Sequence, residues 1–81
     1  LVRGLAMDLA GQGTTVNCVV PGVIDTRRGA SAGAVPKQAA TLLGRAGEPA
    51  EVAAMVRLLV GPGGRFVTGQ TLHVNGGAHF G

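Results

Sequence analysis

None of the 81 residues is Trp or Tyr, and Phe66 and Phe80 are the only two Phe. Cysteine is nearly absent as well. A lone Cys18 builds no disulfide framework, so a small thiol in the core and a reducing cytoplasm are expected. Acids are scarce, with four Asp and Glu against seven Lys and Arg, which leaves a net charge of +3. The basic residues Arg3, Arg27, Arg28, Lys37, Arg45, Arg57 and Arg65 are spread along the chain, and only Arg27 and Arg28 are adjacent. A nucleic-acid surface needs a clustered basic stripe, so no nucleic-acid partner is expected. No apolar run approaches the roughly 20 residues that span a bilayer, and no charged start plus apolar run resembles a signal peptide. No membrane partner is expected. His73 and His79 have no Cys or carboxylate at metal spacing, so no zinc site is expected.

What the chain has in quantity is glycine. The fifteen glycines follow no collagen period and fall mainly at element ends and in loops. That distribution suits an α/β chain with many turns. Eighty-one residues make at most one small domain, residues 1–81, and a chain this size buries only about 60% of its unfolded surface. The first residues already read as the middle of a helix without a cap, so the expectation is the C-terminal fragment of a larger domain.

In chain order, Leu1, Leu5 and Leu9 recur at helical spacing, which predicts a helix over 1–10 stopped by Gly11 and Gly13. Gly4 costs about 1 kcal/mol in a helix interior, or else marks close packing against another helix. Thr14 to Val20 reads as a buried strand, apolar on both faces as in a parallel sheet. Asn17 is its odd polar residue and is expected to bond neighbouring backbone. Pro21 removes an N–H and is expected to end sheet pairing, and Gly22 leaves room for a ligand. Loops at the carboxyl ends of parallel strands are where open α/β sheets bind ligands.

Val23 to Leu42 is mostly loop, with a short helix over Pro36–Leu42. A loop that long inside a compact domain is functional or a plain surface loop. Gly47-Glu48-Pro49-Ala50-Glu51 starts a helix, with Pro49 suited to the first position and Glu51 to the positive end of the dipole. Val52, Met55, Val56, Leu59 and Val60 form its apolar stripe, and Gly61-Pro62 ends it. Gln70 to Val74 is a second short strand, with His73 as a packed or solvated strand residue. Strand, loop, helix, strand is one right-handed βαβ unit with an open edge on the leading strand.

Three stretches carry a resemblance. Asn17-Cys18-Val19-Val20-Pro21-Gly22 through Thr26, Leu43-Gly44-Arg45-Ala46-Gly47-Glu48-Pro49, and Val67-Thr68-Gly69-Gln70-Thr71-Leu72-His73-Val74-Asn75-Gly76-Gly77 occur in one order. The chain resembles the C-terminal third of short-chain dehydrogenase/reductases, most closely the 3-oxoacyl-carrier-protein reductase type. The resemblance implies the βαβ end of a Rossmann-type, doubly wound parallel sheet. It implies hydride transfer between a nicotinamide and a small-molecule carbonyl or alcohol, with NAD or NADP as cofactor. A Tyr, a Lys four residues later and a Ser do the catalysis in that family. This chain has no Tyr, and the pair would lie just before Leu1. The Gly-rich pyrophosphate turn is also missing, since Gly11-x-Gly13 ends a helix and leads into a strand. No catalytic residue is therefore assigned, and the 81 residues alone are expected to show no reductase turnover.

What the resemblance leaves to this chain is the nicotinamide side. Pro21 and Gly22 match the family's Pro-Gly turn. The backbone of Val23 and Ile24 is then expected to bond the carboxamide, and the Thr26 hydroxyl to contact the carboxamide or diphosphate. The loop over Val23–Leu42 corresponds to the substrate cover. The last helix and last strand imply a homo-oligomer contact. A non-catalytic assembly or binding module, or a remnant without independent function, stands as the alternative. The choice between NAD and NADP has no determinant in this stretch.

Overall fold

The computed structural model describes residues 1–26 and 41–80. Four elements make up the fold: α1 (Val2–Leu9), β1 (Cys18–Pro21), α2 (Pro49–Val60) and β2 (Thr71–Val74). Two short 3-10 turns, Ala10–Gln12 and Pro62–Gly64, follow the two helices. Helix α1 runs into the first turn, and Gly13 at φ 74° ends it in a conformation that favours glycine. Gly11, expected to stop the helix, lies inside the turn. A Cβ on Gly4 would meet nothing within 4 Å, so its place is not set by close helix packing.

Strands β1 and β2 pair in parallel, with Cys18 opposite Thr71 and Pro21 opposite Val74. Both are shorter than the sequence predicts, and side-chain bonding explains the difference. Ahead of β1, the Val16 N–H donates to Thr68 Oγ1 at 3.0 Å, and its carbonyl accepts from the Gly69 N–H at 2.8 Å. Asn17 Nδ2 donates to the Val67 carbonyl at 2.9 Å, and its Oδ1 accepts from the Gln70 N–H at 3.0 Å. Asn17 therefore bonds neighbouring backbone as expected, and the ladder starts one residue later. At the other end Pro21 is the last paired residue rather than the breaker. Its missing N–H costs no bond there, because Gly22 supplies the next donor, 3.0 Å from the Val74 carbonyl.

The core is small. Among the described residues Ala6 and Ala46 are its buried apolar residues, joined by Thr41. The expectation of a strand covered on both faces is not met: Cys18, Val19 and Val20 are half-buried, and Pro21 is exposed. Cys18 is thus not a core thiol. The physical reason is the two-stranded sheet, in which β1 pairs only with β2 among the described residues. Helix α2 packs on β1, and Val52, Met55 and Leu59 of its expected stripe are half-buried. Val56 and Val60 of the expected stripe are exposed, Val60 to 80%. A groove between Thr15, Val16, Val19 and the Val56–Val60 end of α2 lies open beside the free edge of β1.

Helix α2 is anchored at its start. Pro49 occupies the first turn, and the Glu48 N–H donates to Glu51 Oε1 at 2.9 Å. Arg45 then grips the same carboxylate in a fork, Nη1 to Oε1 at 2.8 Å and Nη2 to Oε2 at 2.9 Å. The Arg45 hydrogen bond, helped by the Glu48 N–H, pulls the Glu51 carboxyl from 4.5 down to about 2. Because the folded value lies below the unfolded one, this contribution to stability is complete above about pH 4.5 and is lost as pH falls through about 2. Acid titration of the thermal midpoint is expected to fall more steeply through that window in the wild type than in Glu51→Gln. Parallel curves would contradict the assignment.

Candidate functional site

The carboxyl ends of β1 and β2 lie side by side, and two loops close over them. From β1 the chain passes through Gly22 into Val23-Ile24-Asp25-Thr26. Gly22 is pressed against β2, and a Cβ there would lie 2.6 Å from Asn75 Cβ. The second loop, residues 41–48, is rigidified by Thr41. Its hydroxyl donates to the Arg45 carbonyl at 3.0 Å and accepts from the Arg45 N–H at 3.2 Å. The same loop docks on the turn after β2, where the Leu43 N–H donates to the Gly76 carbonyl at 3.1 Å. That turn uses two left-handed glycines, Gly76 at φ 61° and Gly77 at φ 86°. Asn75 ties it, accepting from the Gly77 N–H and donating to the His79 carbonyl, each at 3.0 Å.

The two loops meet at a single parallel bridge, Ile24 with Gly47. The Gly47 N–H donates to the Val23 carbonyl at 2.9 Å, and the Asp25 N–H donates to the Gly47 carbonyl at 2.8 Å. Peptide planarity then sets the direction of the groups between them. The Ile24 N–H shares a plane with the Val23 carbonyl and points the opposite way. The Ile24 carbonyl shares a plane with the Asp25 N–H and likewise points away from Gly47. Ile24 thus presents one donor and one acceptor on the same side, and neither bonds another described residue. Such a pair complements a primary amide, which carries one acceptor oxygen and an NH₂ donor.

Each residue singled out in the sequence has a place. Pro21 and Gly22 close the strand, and the Gly22 N–H is committed to Val74. Val23 has its carbonyl taken by Gly47, so only its N–H faces elsewhere. Ile24 carries the outward pair, and Thr26 is exposed two residues on. Most of the expected lid, residues 27–40, lies outside the described residues, and so does the short helix over Pro36–Leu42 apart from Thr41 and Leu42. These two belong to a bend and a turn. His73 stacks obliquely on His79 with ring centroids 5.4 Å apart. Among the described residues no three His, Cys, Asp or Glu gather as metal ligands.

Sequence reading missed the Ile24–Gly47 bridge and the Arg45–Glu51 fork. A Glu in the first turn of a helix was visible, but its capture by an Arg six residues earlier depends on a loop that folds back through Thr41. Gly47 also reads as an ordinary residue before a helix. In the fold a Cβ there would come 3.0 Å from Ile24 Cδ1, so Gly47 sits directly against the tip of the Ile24 side chain.

Residues 1–79 match the family described as enoyl-(acyl carrier protein) reductase. The chain belongs to the short-chain dehydrogenase/reductase family. Among curated relatives, 3-oxoacyl-(acyl-carrier-protein) reductase FabG of Vibrio cholerae is 38% identical over 86 residues, covering 95% of this chain and 33% of the relative. A short-chain dehydrogenase of Burkholderia cenocepacia, solved with NADP, superposes with a TM-score of 0.81 at 39% identity, covering 95% of this chain and 32% of that one. A blue fluorescent protein from a metagenomic library, solved with NADPH, gives 0.85 at 43% identity, covering 98% and 33%. The chain therefore spans about a third of the length of the relatives it matches. The α/β order and parallel pairing are those of the C-terminal part of the family's Rossmann fold. No helix among the described residues is long and apolar enough to cross a membrane.

Proposed function

We propose that this chain supplies the nicotinamide side of an NAD(P)-dependent short-chain oxidoreductase acting on a small-molecule carbonyl or alcohol. The observation that carries the reading is the outward donor–acceptor pair of Ile24, which bonds no other described residue while both neighbouring peptides are bonded to Gly47. The ring, when bound, is the hydride carrier. The residues of this chain bind and orient it. The Ile24 N–H donates to the carboxamide oxygen, and the Ile24 carbonyl accepts from the carboxamide NH₂. Pro21 and Gly22 set where that edge lies, the Val23 N–H borders it, and the exposed Thr26 hydroxyl is the third contact, to the carboxamide or the diphosphate.

Two bonds to one amide fix which face of the ring meets the substrate, and orientation of this kind contributes several kcal/mol to a transfer. With no Tyr in its sequence, the chain holds no phenolic proton donor. The NADP and NADPH bound by the two similar structures favour the phosphorylated cofactor.

The exposed Val56, Leu58 and Val60 of α2, with β2, are the surfaces for a homo-oligomer contact. The test of the nicotinamide reading is a graft. The Vibrio cholerae reductase, with its matching third replaced by this chain, is expected to discriminate NADP⁺ from an analogue that lacks the amide NH₂.

A further inference from the structure

The Ile24 edge is only as well placed as Gly47, and the two bridge bonds join Gly47 to the Ile24 loop without anchoring the pair to a helix or strand. The groups that do so lie on either side of Gly47. Arg45, two residues before, bonds both oxygens of Glu51 and also donates to the Ala46 carbonyl at 3.1 Å. Glu48, one residue after, donates its N–H to the same Oε1 that Arg45 holds. The Glu51 carboxylate therefore gathers the chain on both sides of Gly47 and ties it to the first turn of α2. A Cβ on Gly47 would lie 3.9 Å from Glu51 Oε1, so the anchor and the bridge are in direct succession.

The fork is half exposed, at 51% and 43% for the two side chains. An exposed ion pair contributes little to global stability as a rule, and a bidentate fork serves geometry better than energy. Its position against Gly47 gives it that geometric use.

We propose that Arg45 and Glu51 are positioning residues for the cofactor-facing loop: their fork fixes Gly47, and through Gly47 it fixes the backbone edge of Ile24. The inference rests on the reading of Ile24 as the carboxamide partner, and its test separates the two.

The experiment is amide hydrogen exchange by ¹⁵N NMR on the grafted reductase that carries this chain, followed by addition of NADP⁺. In the wild type the Gly47 and Asp25 amides, the two donors of the bridge, are expected to be protected. Glu51→Gln is expected to speed exchange at both by about tenfold or more, while Cys18 and Gly69, which bond Gln70 and Val16, change by less than about twofold. Arg45→Lys keeps the charge but loses the fork, and is expected to give the same selective pattern.

Unprotected Gly47 and Asp25 amides in the wild type would overturn the proposal. So would unchanged exchange at these amides in Glu51→Gln. If Glu51→Gln speeds every amide alike, Arg45→Lys decides: selective loss supports the positioning role, and uniform or no change overturns it. NADP⁺ then tests the underlying reading separately. Selective exchange with no NADP⁺-induced shift at Ile24 keeps the positioning role and removes the carboxamide reading. A shift at Ile24 that is equal in wild type and Glu51→Gln, with exchange unchanged, does the reverse.

Discussion

Gly22→Ala is expected to lower turnover of the grafted reductase by about 10- to 100-fold, the loss that a misplacement near 1 Å produces in an oriented transfer. The added methyl would lie 2.6 Å from Asn75 Cβ and 2.9 Å from Asn75 Cα. Asn75 has little freedom to retreat. Its side chain bonds Gly77 and His79, and its carbonyl accepts from the Ala78 N–H at 3.1 Å. The turn from Pro21 moves instead and carries Val23 and Ile24 with it. Overpacking of this kind also costs about 1–3 kcal/mol of stability. Arg65→Ala is the control, because Arg65 is exposed and its side chain bonds the Pro62 carbonyl at 3.3 Å and no other described residue. Turnover is measured on both variants with saturating NADPH and a carbonyl substrate. Wild-type turnover in Gly22→Ala would show that the turn does not place the ring.

Gly64→Ala is expected to have the larger effect on stability, a loss of about 3 kcal/mol or more. Gly64 is buried in the turn after α2. A methyl there would overlap the Leu59 carbonyl oxygen, and it would lie 2.7 Å from both the Leu58 carbonyl oxygen and the Leu59 carbonyl carbon. All three are backbone atoms at the end of a helix, and no rotamer change relieves them. Small domains have about 5–15 kcal/mol in total, so the loss is a large share. Gly63→Ala provides the comparison. Its methyl meets only the tip of Leu58, at 2.9 Å, and a side chain rotates away at small cost. Urea melts of the two variants measure the difference. Equal midpoints would contradict the packing assigned to Gly64.

The element order, the parallel pairing and the place of the Pro-Gly turn were legible because each has a local chemical signature. Pro49 marks a helix start, Gly61-Pro62 an end, and the apolar runs around Cys18 and Leu72 mark strands. The role of Asn17 was legible too, since a lone amide between apolar residues must find backbone partners. What could not be read locally was exposure. Cys18 and Val20 look like core residues, and their half-buried state reflects β1 having one partner strand among the described residues and the thin cover of α2.

The site divides in the same way. Pro21, Gly22, Val23, Ile24 and Thr26 stand out by resemblance, but the special status of Ile24 within that loop does not. It arises because Gly47, from a loop more than twenty residues downstream, takes the peptides on either side of it. A bridge of one residue pair has no periodicity to detect. The Arg45–Glu51 fork is hidden for a similar reason: it needs the Thr41–Arg45 ring to bring the guanidinium back to the helix start.

The nicotinamide-side role depends on the Ile24 edge holding a primary amide, and the most direct measurement is the affinity of the grafted reductase for two cofactors. One is NADP⁺. The other is its 3-acetylpyridine analogue, which keeps the ring carbonyl and replaces the amide NH₂ with a methyl. Loss of the bond to the Ile24 carbonyl, with that acceptor left unpaired, is predicted to weaken binding by about tenfold, equivalent to about 1.4 kcal/mol. Equal affinity for the two cofactors would contradict the assignment of Ile24 and, with it, the placement of this chain on the nicotinamide side.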